Sequence, residues 1–323
     1  MILRFDASNF ISGREKNEQN NLVASRNPLR FFFSFQNAEA QTCSVANIWE
    51  AGEYSLSHES LVSFITSLQK EKRVVDRNQT QVRFFWNASV SELGDDGAQK
   101  MTLRATRVIL RFESEVDGAA FYDSSNDHMN NEFVKEVFKR FLAAEVAISF
   151  RNGEVDSLQV ADDIWNGLET KDESEKFFLE RFKSLLLKEC FRQIFDPLSW
   201  VSNPNEVSVN DQWKNETPID LPELGMVGDQ SLTWNCKLNS ISKEKQGERA
   251  NVEATCHLDV DPNENLCVEV KAEIKAKFDA KYGAPIEIES RTTASALKKS
   301  PSQEDAAAKI VALQRNKLVV AKH

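Results

Sequence analysis

Between Val268 and Tyr282 every second residue is apolar. Val268, Val270, Ala272, Ile274, Ala276, Phe278, Ala280 and Tyr282 alternate with Glu269, Lys271, Glu273, Lys275, Lys277, Asp279 and Lys281. Wound as a helix, this stretch would scatter its apolar groups round the axis; extended, it gathers them on one face. The stretch therefore reads as a strand with one dry and one charged face. Such a strand needs partners in register and a cover for its dry face.

The partners stand on either side. Upstream, Leu232, Trp234, Cys236 and Leu238, then Ala254, Cys256, Leu258 and Val260, repeat the spacing of two. Folding about Gln246 sets Trp234 opposite Leu258, Cys236 opposite Cys256 and Leu238 opposite Ala254. Folding about Glu264, in the turn-forming run 261–265, sets Val260 opposite Val268, Leu258 opposite Val270 and Cys256 opposite Ala272. Downstream, Gly283–Pro285 turns the chain into Ile286 and Ile288. Residues 231–290 are thus predicted as a four-stranded antiparallel meander.

A second meander is expected at 54–113. Tyr54, Leu56, His58, Ser60, Val62 and Phe64 alternate, as do Val82, Phe84, Trp86, Ala88 and Val90. Gly94–Gly97 closes a hairpin, Met101, Leu103 and Ala105 return on the same face, and a bulge leads into Val108–Phe112. Asn152-Gly153 signals a further hairpin. Helices fill the middle: Phe133, Val134, Val137, Phe138, Phe141 and Leu142 form an amphipathic stripe that Asn130 or Asn131 can cap. A long helix is expected from Glu173 to Ile194, stopped by Pro197. Ser302 can cap a short helix carrying Ala306, Ile310 and Leu313. The fold class is α+β, two antiparallel β-meanders packed on two amphipathic helices, with a sheet curled around the helices as its closed form. Three parts are expected: an N-terminal meander lobe with the first helix (1–168), the long helix with the C-terminal meander lobe (169–295), and a basic tail (296–323).

Charge separates along the chain. The whole carries −10, yet from Arg291 onward seven Lys and Arg stand against Glu304 and Asp305, a balance of +5 that leaves −15 on the body. An acidic body argues against general nucleic-acid binding, which needs clustered cations. The basic tail reads as docking on the acidic body or on an acidic partner. The five cysteines lack CxxC spacing, and free buried thiols compete with a Cys236–Cys256 disulfide, which the register about Gln246 would allow. P-loop, GxGxxG, GxSxG and HExxH patterns are missing, and four scattered histidines suggest neither a metal nor a catalytic base. No cofactor or metal is expected. His58 points inward and reads as a hydrogen-bonded core residue rather than a ligand. No apolar run reaches the length of a membrane span.

Large inward aromatics remain as the candidate site. Phe84, Trp86, Trp234 and Phe278, with Phe178 from the long helix, are expected to line one interior. Either they pack on one another, or they leave an apolar cavity suited to a lipid-like small molecule. The first function expected is thus a non-enzymatic binding or interaction protein. The second is a scaffold acting through sheet edges or the C-terminal tail, with the protein partner unspecified, and the third a hydrolase with an unrecognised site.

Trp49–Tyr54 leading into a strand, Thr106–Val108 at a hairpin end, Phe150–Val155, and Val207–Trp213 before a long meander carry a resemblance across residues 45–290. The chain resembles a bacterial family of β-rich proteins of unknown function, usually exported. The resemblance implies no catalytic residues. The first residues show no signal peptide, so the sequence as it stands reads as cytoplasmic, or as exported once a leader has been removed.

Overall fold

A computed structural model of the chain describes residues 42–68, 73–115, 118–126, 131–151, 153–160, 164–184, 186–218, 231–263, 266–298 and 308–323. Three further expectations from the sequence, a strand at 29–35, a loop at 13–21 and a linker at 218–222, fall outside them or at their edge. The described residues are mostly β, 65% strand and 15% helix.

The N-terminal strands are β1 (Thr42–Val45), β2 (Gly52–Leu68), β3 (Arg73–Val90), β4 (Ala98–Ser114) and β5 (Gly118–Asp123). Helix α1 (Glu132–Ala143) precedes the hairpin β6 (Glu145–Arg151) and β7 (Glu154–Val160). Helices α2 (Glu173–Ser184) and α3 (Lys188–Trp200) lead into β8 (Asn203–Ser208) and β9 (Gln212–Pro218). The chain ends in β10 (Ser231–Glu244), β11 (Gly247–Asn263), β12 (Leu266–Asp279), β13 (Pro285–Lys298) and β14 (Ala308–Lys322). One twelve-stranded sheet runs β7-β6-β4-β3-β2-β14-β13-β12-β11-β10-β9, with β5 paired to β4, while β1 and β8 form a separate pair.

Alternation governs both faces of this sheet. Val108, Phe84, His58, Leu318, Ile288, Ala276, Val252 and Leu238 stand opposite one another in a row across eight strands. All eight are buried, and His58 is the one polar member. The next row on the outer face reads Arg83, Glu59, Lys317, Glu289, Lys275, Glu253 and Lys237, alternating in sign across seven strands. Opposite charges facing each other stabilise a given register and like charges penalise a slipped one, each by up to about 1 kcal/mol. Burial alone would raise the Glu287 and Glu289 carboxyls. Lys317 and Lys277 beside the first, and Arg291 and Arg315 beside the second, outweigh it and hold both below the ordinary range. Strands charged like this on their outer side are the reverse of strands facing a bilayer.

The helices lie on the dry face. α1 begins where expected, with the Asn131 side chain accepting from the Val134 N–H. The expected long helix is two. The chain is extended at Leu187 (φ −77°, ψ 148°), which starts α3 afresh, and Pro197 sits within α3 rather than ending it. α3 touches β7 and β9, the two edges of the sheet path, as well as β13 and β14. A helix is only about 10 Å across, so a sheet whose two edges reach the same one is strongly curled.

Buried polar contacts pin α3 in place. Asp196 accepts from the Val155 N–H at 2.9 Å and from Arg192 at 2.7 Å. Burial raises its pKa, against the pull of those two donors. One turn further on, at the helix's C-terminus, the Trp200 and Ser202 carbonyls both accept from Asn215, at 2.8 Å each. Replacing Asp196 by Ala leaves the Val155 N–H buried without an acceptor and should cost about 2 kcal/mol. Urea denaturation would read this as a lower midpoint at unchanged slope; an unchanged midpoint would show that the contact contributes nothing.

Two expectations are corrected. Residues 308–322, where a short helix was expected through Ile310 and Leu313, form strand β14, and β13 runs on to Lys298. β14 lies between β13 and β2 and so joins the two meanders in one sheet. The hairpin register about Glu264 holds, but β10 and β11 turn at Lys245–Gln246 with a bulge between Leu238 and Ser240, placing Cys236 opposite Ala254. Cys236 and Cys256 are not joined to one another: with Cys43 they are free, buried thiols. Burial, with Glu206 nearby, pushes the Cys43 thiol up to about 11, and burial pushes Cys236 up to about 12. Both should therefore resist Ellman's reagent in the native state and react in urea. Rapid native labelling of either would show that it is accessible.

Candidate functional site

A cavity of about 70 Å³ opens between α3 and the dry face. Val82, Phe84 and Trp86 of β3, with Leu110 and Phe112 of β4, form its sheet wall, and Phe191 and Ile194 of α3 face them. These seven residues make one side apolar. The other side is polar: His58 and Ser60 of β2, Thr80 of β3, Gln314 and Asn316 of β14, and Gln193 of α3. The polar side has a clear origin in the register. One row beyond His58 lie Ser60, Asn316 and Ser290, and one row further Val62, Gln314 and Thr292. Where β2, β14 and β13 meet, five of the six inward residues of these two rows are polar, Val62 being the exception. Gln314 crosses to the helix, its Nε2 donating to Gln193 Oε1 at 3.2 Å.

His58 stands at the edge of this polar patch. Its side of the row is dry, with Phe84 and Leu318 as cross-strand neighbours, and its ring lies flat against Phe84 (6.2 Å between centroids, 4° between planes). The residue is 4% exposed, and neither ring nitrogen has a hydrogen-bond partner. A buried polar group normally finds a partner, so the expectation of a hydrogen-bonded core histidine is corrected. Burial pushes the pKa down to about 4, against a smaller upward pull from Glu59. The ring is therefore neutral at physiological pH, one nitrogen a donor and the other an acceptor.

The structure does not gather the five expected aromatics. Phe84 and Trp86 line the cavity, their rings 5.3 Å apart, and Trp86 also meets Phe141 and Phe191. Phe178 meets Tyr122, Phe138 and Phe182 instead, and is linked to Phe84 and Trp86 only through Phe182 and Phe141. Trp234 stacks on Trp200 at 5.4 Å and donates to Thr217 Oγ1 at 3.1 Å. Phe278 is wholly buried on β12, four strands from Phe84. Sequence reading missed the cavity's polar half. The signal was present in Ser60, Gln314 and Asn316, polar residues at inward positions. Among the described residues, no group of three His, Cys, Asp or Glu side chains could hold a metal ion, and no helix is long and apolar enough to cross a membrane.

A family of unknown function, DUF6263, has a model that matches residues 96–297, more than half of the chain. No curated protein matches the sequence. Among solved structures, a lipovitellin studied for its lipid–protein interactions is 12% identical, with a TM-score of 0.41 over 85% of this chain and 25% of that one. The chain thus spans a quarter of the lipovitellin's length. An outer membrane channel from Pseudomonas putida F1 is 9% identical, with a TM-score of 0.25 over 85% of this chain and 98% of the channel. Likenesses this low carry no argument about function.

Proposed function

The chain belongs to that family of unknown function, and from its own pocket we propose that it binds an apolar or lipid-like small molecule between the sheet and α3. The observation that carries this reading is the apolar wall of Phe84, Trp86, Leu110, Phe191 and Ile194 beside a patch of neutral polar side chains. Binding sites of this make-up pair a hydrophobic lining with a few polar groups that fix orientation. The cavity, at about 70 Å³, falls well short of the roughly 300–1,000 Å³ that holds a drug-sized ligand. It therefore takes a short chain or a chain end. A curled sheet with the helices inside it is the container, and the surplus of buried aromatics mostly fills that container rather than lining the pocket. The C-terminal strand is paired on both sides and so offers no open edge to a partner.

Native mass spectrometry of the purified full-length chain should show an added mass that solvent extraction removes. Saturation with n-hexane should then shift the methyl resonances of Val82 and Leu110. An empty protein whose methyl spectrum ignores hexane would sink the proposal.

A further inference from the structure

We infer that the pocket's ligand carries an uncharged hydroxyl head, as in an alcohol or an acylglycerol, and that His58 is the group that recognises it. This rests on the pocket reading above and deepens it. The imidazole lies in the lining of the cavity with both nitrogens unpartnered, although the residue is 4% exposed. Leaving such a group unmatched is unfavourable, so a ligand that matches it is favoured over one that does not. A neutral imidazole offers one donor and one acceptor, and a hydroxyl is both at once. Ser60, Gln314 and Asn316, on the rows next to His58, extend the same neutral chemistry.

A carboxylate or phosphate head fits poorly for a definite reason. None of the residues lining the cavity is Lys or Arg. The cations of the adjoining strands, Arg83, Arg315 and Lys317, stand on the outer face against Glu59, Glu289 and Glu287. An anion buried here would lose its water without gaining a counter-charge. His58 does not supply one, because its desolvated ring resists protonation.

Three six-carbon probes separate the possibilities on the full-length protein at neutral pH: n-hexane, 1-hexanol and hexanoate, each followed by the Val82 and Leu110 methyl shifts. One net hydrogen bond should make 1-hexanol bind roughly three- to tenfold more tightly than n-hexane, with hexanoate the weakest. The His58 ring nitrogens should shift with 1-hexanol and stay unmoved with n-hexane. His58→Phe, which keeps the row apolar, should lose the preference for the alcohol. Equal affinity for hexane and hexanol, or tighter binding of hexanoate, would overturn the inference while leaving the pocket in place. Failure of all three probes would remove the pocket reading itself. The wild-type ranking decides the matter even if the variant does not fold.

Discussion

A chain ending before residue 308 should fail to fold rather than lose a dispensable tail. Residues 308–322 form β14, which is hydrogen-bonded to β13 on one side and to β2 on the other. Removing it exposes two long edges, 17 residues on β2 and 14 on β13. It also takes Leu318 out of the buried row and Gln314 and Asn316 out of the pocket. Long, unprotected edges of this kind promote association between chains. The expected result is an insoluble product, or a soluble one without dispersed amide resonances or a cooperative urea transition. A milder variant tests the same placement. Lys317→Glu puts like charges opposite both Glu59 and Glu289 and should destabilise by about 1–2 kcal/mol, with Lys317→Gln costing less. A truncated chain that keeps the parent's urea midpoint would show that β14 is peripheral.

The same strand shows what was legible in the sequence and what was not. Val268–Asp279 announces itself because every inward position is apolar and almost every outward one is charged. β14 does not: its inward positions include Gln314 and Asn316, which break the alternation, while Ala306, Ile310 and Leu313 happen to fall at helical spacing. The polar residues that disguise the strand are those that build the polar side of the pocket, so the site was hidden by its own chemistry. The basic character of the tail was the better guide, since Lys317 stands between Glu59 and Glu289. From β10 to β12 the faces come out as expected, for Trp234, Cys256 and Ile274 are all buried. The partners do not, because the turn and the bulge shift the register by two residues, which preserves the face and changes the neighbour. The aromatics were expected together because sequence reports that a side chain points inward and not how wide the sheet is. Phe84 and Phe278 are four strands apart, which at about 4.8 Å per strand is roughly 19 Å.

His58 should make the protein acid-sensitive over a definite window. Its ordinary pKa of 6.5 applies to the unfolded chain, whereas burial holds it near 4 in the folded one. Between these values the unfolded state binds a proton that the folded state refuses. The histidine's contribution is therefore full above about pH 6.5, is lost as the pH drops through the window, and changes no further below about pH 4. Each unit of difference corresponds to about 1.4 kcal/mol, so the total is about 3 kcal/mol. The groups around the ring leave this term largely uncompensated. The lining residues of β3, β4 and β14 are uncharged, α3 contributes the Cys190 thiol, and Glu59 pulls the pKa upward only weakly. Asp196, whose pKa is raised by burial, acts in the opposite sense, since it favours proton uptake by the folded state. It is unchanged in a His58→Phe variant, so the difference between the two proteins isolates the histidine. Urea midpoints measured from neutral pH down to pH 4 should fall more steeply for the wild type, and the gap should open within the window. Parallel profiles would mean that His58 is as easily protonated folded as unfolded, and a ring in that state would be wet or already partnered.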